Sequence, residues 1–171
     1  RALQLMERRD VFDVSKEPAK MHELYGGESF GQRCLTARRL LENGATFVKL
    51  DHSNYDTHNE NFNFHLEQVP EFDKGFAALV GDLADRGMLD STMIVVMSEF
   101  GRTPNINKYY GRDHWGTAWS ICIGGGKIAR GAVVGKTNEN GTKVIDREVS
   151  FPHLFPTYLA GVGLDSHEPF D

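Results

Sequence analysis

The sequence has only two cysteines, Cys34 and Cys122, and they stand far apart. That scarcity argues against a disulfide scaffold and against any cysteine-based metal motif, and it leaves the redox compartment open. Basic charge is not in excess either: the formal net charge is -5 at pH 7. Phosphate contacts need a basic face, so this balance speaks against a nucleic-acid partner. No apolar run approaches the length of a membrane span. Internal repeats, low-complexity tracts and linkers are also missing. What remains is a chain of 171 residues, 40% hydrophobic and 25% charged. That is enough for one globular domain, taken as residues 1–171, with a sizeable core. The oligomeric state is left open by these features.

The chain opens on Arg1, and "RALQLMERR" reads as the interior of a helix over 1–9, with no signal peptide. The expectation is a portion of a longer protein. "DVFDVSKEP" follows as a loop. Pro18 suits the first turn of a short helix to about Tyr25. Ser29 reads as an N-cap, with Phe30, Cys34, Ala37 and Leu41 at helical spacing and Gly44 as terminator. "ATFVKL" (45–50) reads as a strand ending at Asp51. A long helix presents Phe72, Phe76, Leu79, Val80 and Leu83, with Pro70 as its start or a kink and Gly87 as its end.

"TMIVVM" (92–97) is the clearest strand, apolar throughout, as in a sheet covered on both faces. "AWSICI" (118–123) is another. "GAVVG" and "TKVI" flank "KTNENG" as a hairpin with an Asn-Gly turn. Residues 150–161 read as a final helix opened by Pro152. Strand, long helix, strand predicts a parallel crossover and an α/β layered fold.

Asp51 and Glu99 each follow an apolar strand, at the edge where open α/β sheets bind ligands. The polar ends of ordinary strands explain Asp51 equally well. Glu99 is followed by Gly101, Arg102, Thr103 and Pro104, a stiff exit carrying a cation. "YDTH" puts Asp56 and His58 two residues apart, so in an extended loop both side chains leave one face. "GRDHW" adds Asp113 and His114. Carboxylate plus neutral imidazole suits zinc, manganese or iron without choosing among them. Solvated loop histidines are the plain alternative.

Arg102 and Arg112 offer guanidinium forks for an oxyanion, or simple surface ion pairs. Trp115 is read as core, and His22, His65, His153 and His167 as structural. "CLTAR" places an Arg four residues after Cys34, as in a sulfatase modification motif. Thr36 stands where that motif expects Pro, and Cys34 falls on the apolar face, so it is read as core. Gly124 to Gly126 precede no clear helix and make a poor phosphate loop.

"FGQRCLTARRLLENGATFVKL", "YDTHNENF", "DLADRGMLDSTMIVVMSEFGRTPNIN", "GRDHW" and "GGGKIARGAVVGKTNENG" together resemble the bacterial sulfatase-like family labelled domain of unknown function 1501. The likeness covers nearly the whole chain, and "EFGRTP" with "GRDHW" is its most specific part. That family looks like a branch of the alkaline phosphatase superfamily. The resemblance therefore implies an α/β/α sandwich with a mostly parallel sheet, of which this chain is the C-terminal part. It also implies a metal-assisted site for phosphate or sulfate esters.

Residue by residue, Asp56 and His58 match an Asp-and-His pair, Glu99 the Asp at a strand end, and His114 a lone His. Three departures stand out. Phe100 occupies the place of a metal-binding His. Asp56 and His58 are closer together than the usual pair. The superfamily's N-terminal Asp and nucleophile have no counterpart here, so little turnover of simple esters is expected from these residues alone. The resemblance suggests an exported bacterial protein.

Two functions are carried forward. The first is a metal-dependent hydrolase of sulfate or phosphate esters. Asp56, His58, Glu99 and His114 would hold a divalent ion, with Glu99 and Arg102 at the reacting centre. Asp113 would orient His114 rather than bind. The alternative is a non-catalytic binder of a polysaccharide or anionic ligand on the same fold, which Phe100 favours.

Overall fold

The computed structural model describes residues 9–126 and 128–166. The expected helix over 1–9 and His167 therefore lie almost wholly outside the described residues. The chain forms two compact units: residues up to Asp56 together with Phe62–Gly87, and Thr57–Asn61 together with Met88 onward.

The first unit is helical. Helices α1 (Ala19–Tyr25), α2 (Ser29–Glu42) and α3 (Asn61–Asp85) follow two short 3-10 turns at Arg9–Phe12 and Val14–Lys16. Pro18 takes the N-cap of α1. Ser29 is the first residue of α2, and Glu28 holds the cap position instead. Gly44 and Gly87, at φ 87° and 68°, follow α2 and α3 in the left-handed region. Only glycine adopts that region freely, which is why both helices stop there.

Pro70 lies inside α3 rather than at its start. Besides Asn61 and Gln68 in its first half, the buried positions of α3 are Gly75, Ala78, Leu79, Asp82 and Leu83, a stripe at 3.6-residue spacing. Phe72 and Phe76 flank that stripe, their rings stacked at 5.2 Å. A Cβ on Gly75 would come within 3.0 Å of the Phe30 ring and 3.1 Å of Gly31 Cα. Backbone-close packing of α2 on α3 thus requires the glycine.

Cys34, Leu35, Leu83 and Tyr25 fill the core, all essentially buried. Burial pushes the Cys34 thiol up to about 12, which makes it a packing residue and not a nucleophile. Among these apolar groups sits Arg38, only 2% exposed. Its Nη2 reaches Glu17 at 2.5 Å and its Nη1 reaches Glu42 at 2.7 Å. Its Nε lies 3.0 Å from Asp82 without hydrogen-bond geometry. Asp82 also accepts from Tyr25 Oη at 2.9 Å and from Arg86 Nε at 2.7 Å. His52 is a structural histidine, with one ring nitrogen 2.8 Å from Tyr55 Oη and the other 3.3 Å from Glu71.

The second unit contradicts the expected mostly parallel α/β/α sandwich. Among its described residues the strands form three separate antiparallel pairs. Strand β1 (Met93–Val96) pairs with β4 (Cys122–Gly125), Met93 opposite Gly125 and Val96 opposite Cys122. Strand β2 (Gly101–Arg102) pairs with β3 (His114–Trp115), and β5 (Lys136–Thr137) with β6 (Val144–Asp146). The segment between β1 and β4 contains no helix. A parallel return needs a crossover, whereas a loop returns the chain antiparallel. The strand expected at 118–123 is displaced to Cys122–Gly125. Residues 45–50 join no ladder, and Phe47 there is 80% exposed. That stretch has the composition of a strand without a neighbour to pair with among the described residues.

A hairpin forms around the expected Asn-Gly turn, with Gly141 at φ 66°, but its first strand is Lys136–Thr137 within "KTNENG", and "GAVVG" (131–135) forms no strand. Helix α4 (Phe151–Gly161) follows Ser150, whose N–H donates to His153 Nδ1 at 3.1 Å. Replacing His153 by Ala should lower stability in urea unfolding by about 0.5–1 kcal/mol, as loss of a capping partner does. Among the described residues, no helix is long and apolar enough to cross a membrane.

Candidate metal centre

His58 sits in a short segment, 57–61, that a loop from the same unit holds by its backbone. Arg112 N–H donates to Thr57 O at 3.0 Å, Glu60 N–H to Tyr109 O at 3.1 Å and Asn61 N–H to Tyr110 O at 3.0 Å. Gly111 makes this approach possible. A Cβ there would lie 1.9 Å from both the carbonyl carbon and oxygen of His58. Tyr110 bends the loop with φ 60°.

Asn107 ties the loop together. Its Oδ1 accepts from Tyr109 N–H at 2.9 Å and Gly111 N–H at 3.1 Å. Its Nδ2 donates to His58 O at 2.9 Å and to Asp113 Oδ1 at 3.1 Å. Nothing in the sequence marked this residue beyond the turn-forming composition of "PNINKYYG".

His114 is fixed by the β2–β3 pair, where it stands directly opposite Arg102. Residues opposite one another in an antiparallel pair project from the same face. Arg102 and His114 therefore share a face. Gly101 lets β2 seat closely, since a Cβ there would lie 2.7 Å from Ala118 O and Trp119 Cβ. Trp115, opposite Gly101, is half-buried, as expected of a packing residue. The Phe100 ring packs on the His114 imidazole at 4.3 Å between centroids.

Nε2 of His58 and Nε2 of His114 face each other at 3.2 Å. Two nitrogens each about 2.05 Å from one ion subtend about 100° at this separation, between octahedral and tetrahedral angles. On its other side, His58 Nδ1 is 2.8 Å from Asp113 Oδ1. Hydrogen bonds from His58 and then Asn107 hold the Asp113 carboxyl below its ordinary value. An ionised carboxylate only accepts, so the Nδ1 facing it is the donor, and a neutral ring so held leaves its lone pair on Nε2. A carboxylate behind a ligating histidine is the usual support of such a ligand. Asp113 thus orients His58, and not His114 as expected.

Asp56 is the last residue of the first unit, tethered beside His58 through Thr57 alone. One of its carboxylate oxygens and ring nitrogens of His58 and His114 all lie within 4.8 Å of one another. Three of the four expected ligands are so brought together. Glu99 is not in this set; it is exposed just after β1. Arg112 is committed to the loop, its Nη1 donating to Thr103 O at 2.8 Å and Pro104 O at 2.5 Å. Arg102 donates to Arg112 O at 3.2 Å, with its guanidinium carbon 5.9 Å from the Phe100 ring centroid.

A family profile described as "Protein of unknown function (DUF1501)" matches residues 2–171. The chain belongs to the DUF1501 family. No curated protein and no solved structure matches it. The DUF1501 assignment spans both units and includes Asp56, His58, Asn107, Asp113 and His114.

Proposed function

We propose that this chain holds a divalent metal ion on His58 and His114, with Asp56 as the carboxylate ligand, and is the metal-binding portion of a hydrolase of sulfate or phosphate esters. The observation that carries the reading is the pair of Nε2 atoms 3.2 Å apart, one of them backed by Asp113. The donor set is two imidazoles and one carboxylate, which suits zinc, manganese or iron better than magnesium or calcium. When bound, such an ion polarises an ester oxygen or activates water. The side chains supply the rest. Asp113 holds the His58 ring in place. Arg102, sharing a face with His114, offers a cation to a non-bridging oxygen of the ester. The ester class itself rests on the family resemblance.

Isothermal titration of the chelator-treated protein with Zn²⁺ and Mn²⁺ tests the site. One ion per chain is expected. His114→Ala should weaken binding by about two orders of magnitude or more, beyond the tenfold to hundredfold typical of supporting residues. His153→Ala should bind as the unsubstituted protein does. Failure of both metals to bind sinks the proposal.

The alternative of a non-catalytic binder draws support from Phe100, an apolar ring packed on His114. Binding of a sulfated or phosphorylated glycan by protein that takes up no metal would favour that reading.

A further inference from the structure

We propose that Asn107 is a positioning residue that, through Asp113, imposes the Nδ1-protonated tautomer on His58. The inference rests on the reading of His58 as a metal ligand. Both amide hydrogens of Asn107 are used, one on His58 O and one on Asp113 Oδ1. The amide therefore fixes the carboxylate relative to the backbone that carries the His58 ring. Asp113 needs that hold. Its side chain is 53% exposed and that of His58 is 46% exposed. Water therefore competes for both.

The backbone N–H of Asp113 donates to Thr103 Oγ1 at 3.1 Å, and its carbonyl accepts from Thr103 N–H at 2.9 Å. These bonds fix the Asp113 main chain but not its carboxylate. The carboxylate is set by two donors, His58 Nδ1 and Asn107 Nδ2. A neutral imidazole in water favours the Nε2–H form, which would block the lone pair a metal needs. The Asn107–Asp113–His58 chain reverses that preference before any ligand arrives.

The test reads the His58 tautomer directly, by long-range ¹H–¹⁵N NMR of the metal-free protein, and zinc affinity separately. Asp113→Ala sets the limit for an unsupported ring. Asn107→Ala removes every bond of the amide. Asn107→Asp is the sharper variant: its carboxylate still accepts from Tyr109 and Gly111 N–H, and when ionised it donates neither to His58 O nor to Asp113.

The expected result is Nδ1–H in the unsubstituted protein and a shift toward Nε2–H in both Asn107 variants. Zinc affinity should fall about tenfold to hundredfold in Asn107→Ala, as when outer support of a ligand is lost. Nε2–H in the unsubstituted protein overturns the inference, as does an unchanged tautomer in a folded Asn107→Asp. Loss of the tautomer effect leaves zinc binding by the unsubstituted protein intact. Absence of zinc binding there defeats the metal reading instead, so the two failures are distinguishable.

Discussion

Gly111→Ala abolishes metal binding at the His58–His114 pair and destabilises the second unit: that is the expected result with the largest functional effect. The reason is space. Gly111 is not in the left-handed region, so alanine's backbone preferences are not at issue. The added Cβ would lie 1.9 Å from the carbonyl carbon and oxygen of His58 and 2.4 Å from Asn59 N. All three are backbone atoms and cannot rotate aside. Ordinary contact lies well over 1 Å further out, so the 57–61 segment must move away from the loop.

That movement breaks the Arg112–Thr57, Glu60–Tyr109 and Asn61–Tyr110 bonds together. It also carries His58 off the line between Asp113 and His114. Forced overpacking costs about 1–3 kcal/mol, and a ligand displaced by more than 1 Å cannot share an ion with bonds of about 2.0–2.1 Å. Zinc titration and urea unfolding of the variant measure the two effects. A variant with unchanged zinc affinity would show that the loop clasp does not position His58.

The two units differ in how legible they are in the sequence. Helices α1, α2 and α3 were legible because periodicity and terminators agreed: Pro18 begins one, and Gly44 and Gly87 follow two. The buried stripe of α3 was shifted by one position from the obvious aromatics. Gly75 and Asp82 lie on it, and neither reads as core. Each is there for a local reason, close approach to Phe30 at one and ion pairing to Arg38 and Arg86 at the other.

The sheet was not legible. "TMIVVM" announces a strand but says nothing of its partner's direction, and pairing partners are separated by long loops. Of the site, Asp56, His58 and His114 were readable from spacing and residue type. Asn107 was not, because an asparagine in a polar loop looks like every other turn residue until its four hydrogen bonds are seen. Arg112 could be read as an anion clamp or a surface ion pair and is instead spent on two loop carbonyls.

The largest stability effect is expected at Arg38. Arg38→Ala should destabilise the first unit by about 3–5 kcal/mol at neutral pH, the range for removing one partner of a buried ion pair. Glu17, 9% exposed, and Asp82, 7% exposed, would be left with a buried charge deprived of its guanidinium. Arg39 and Arg86 remain as partial partners, which places the value toward the lower end.

The pH dependence follows from Glu17. Burial pushes its carboxyl up, but hydrogen bonds from Arg38 and Arg39 outweigh that and bring it below its ordinary value of 4.5. A carboxyl lowered in the folded state contributes stability above its unfolded value and loses it as pH falls through the folded one. The intact protein should therefore lose stability below about pH 4.5. In Arg38→Ala the main opposing interaction is gone, burial of Glu17 is less opposed, and protonation relieves part of the cost. The gap between the two proteins should shrink from pH 7 toward pH 3 in urea unfolding. A gap that stays constant across that range would mean that Arg38 stabilises by burying its methylenes, and not by neutralising Glu17.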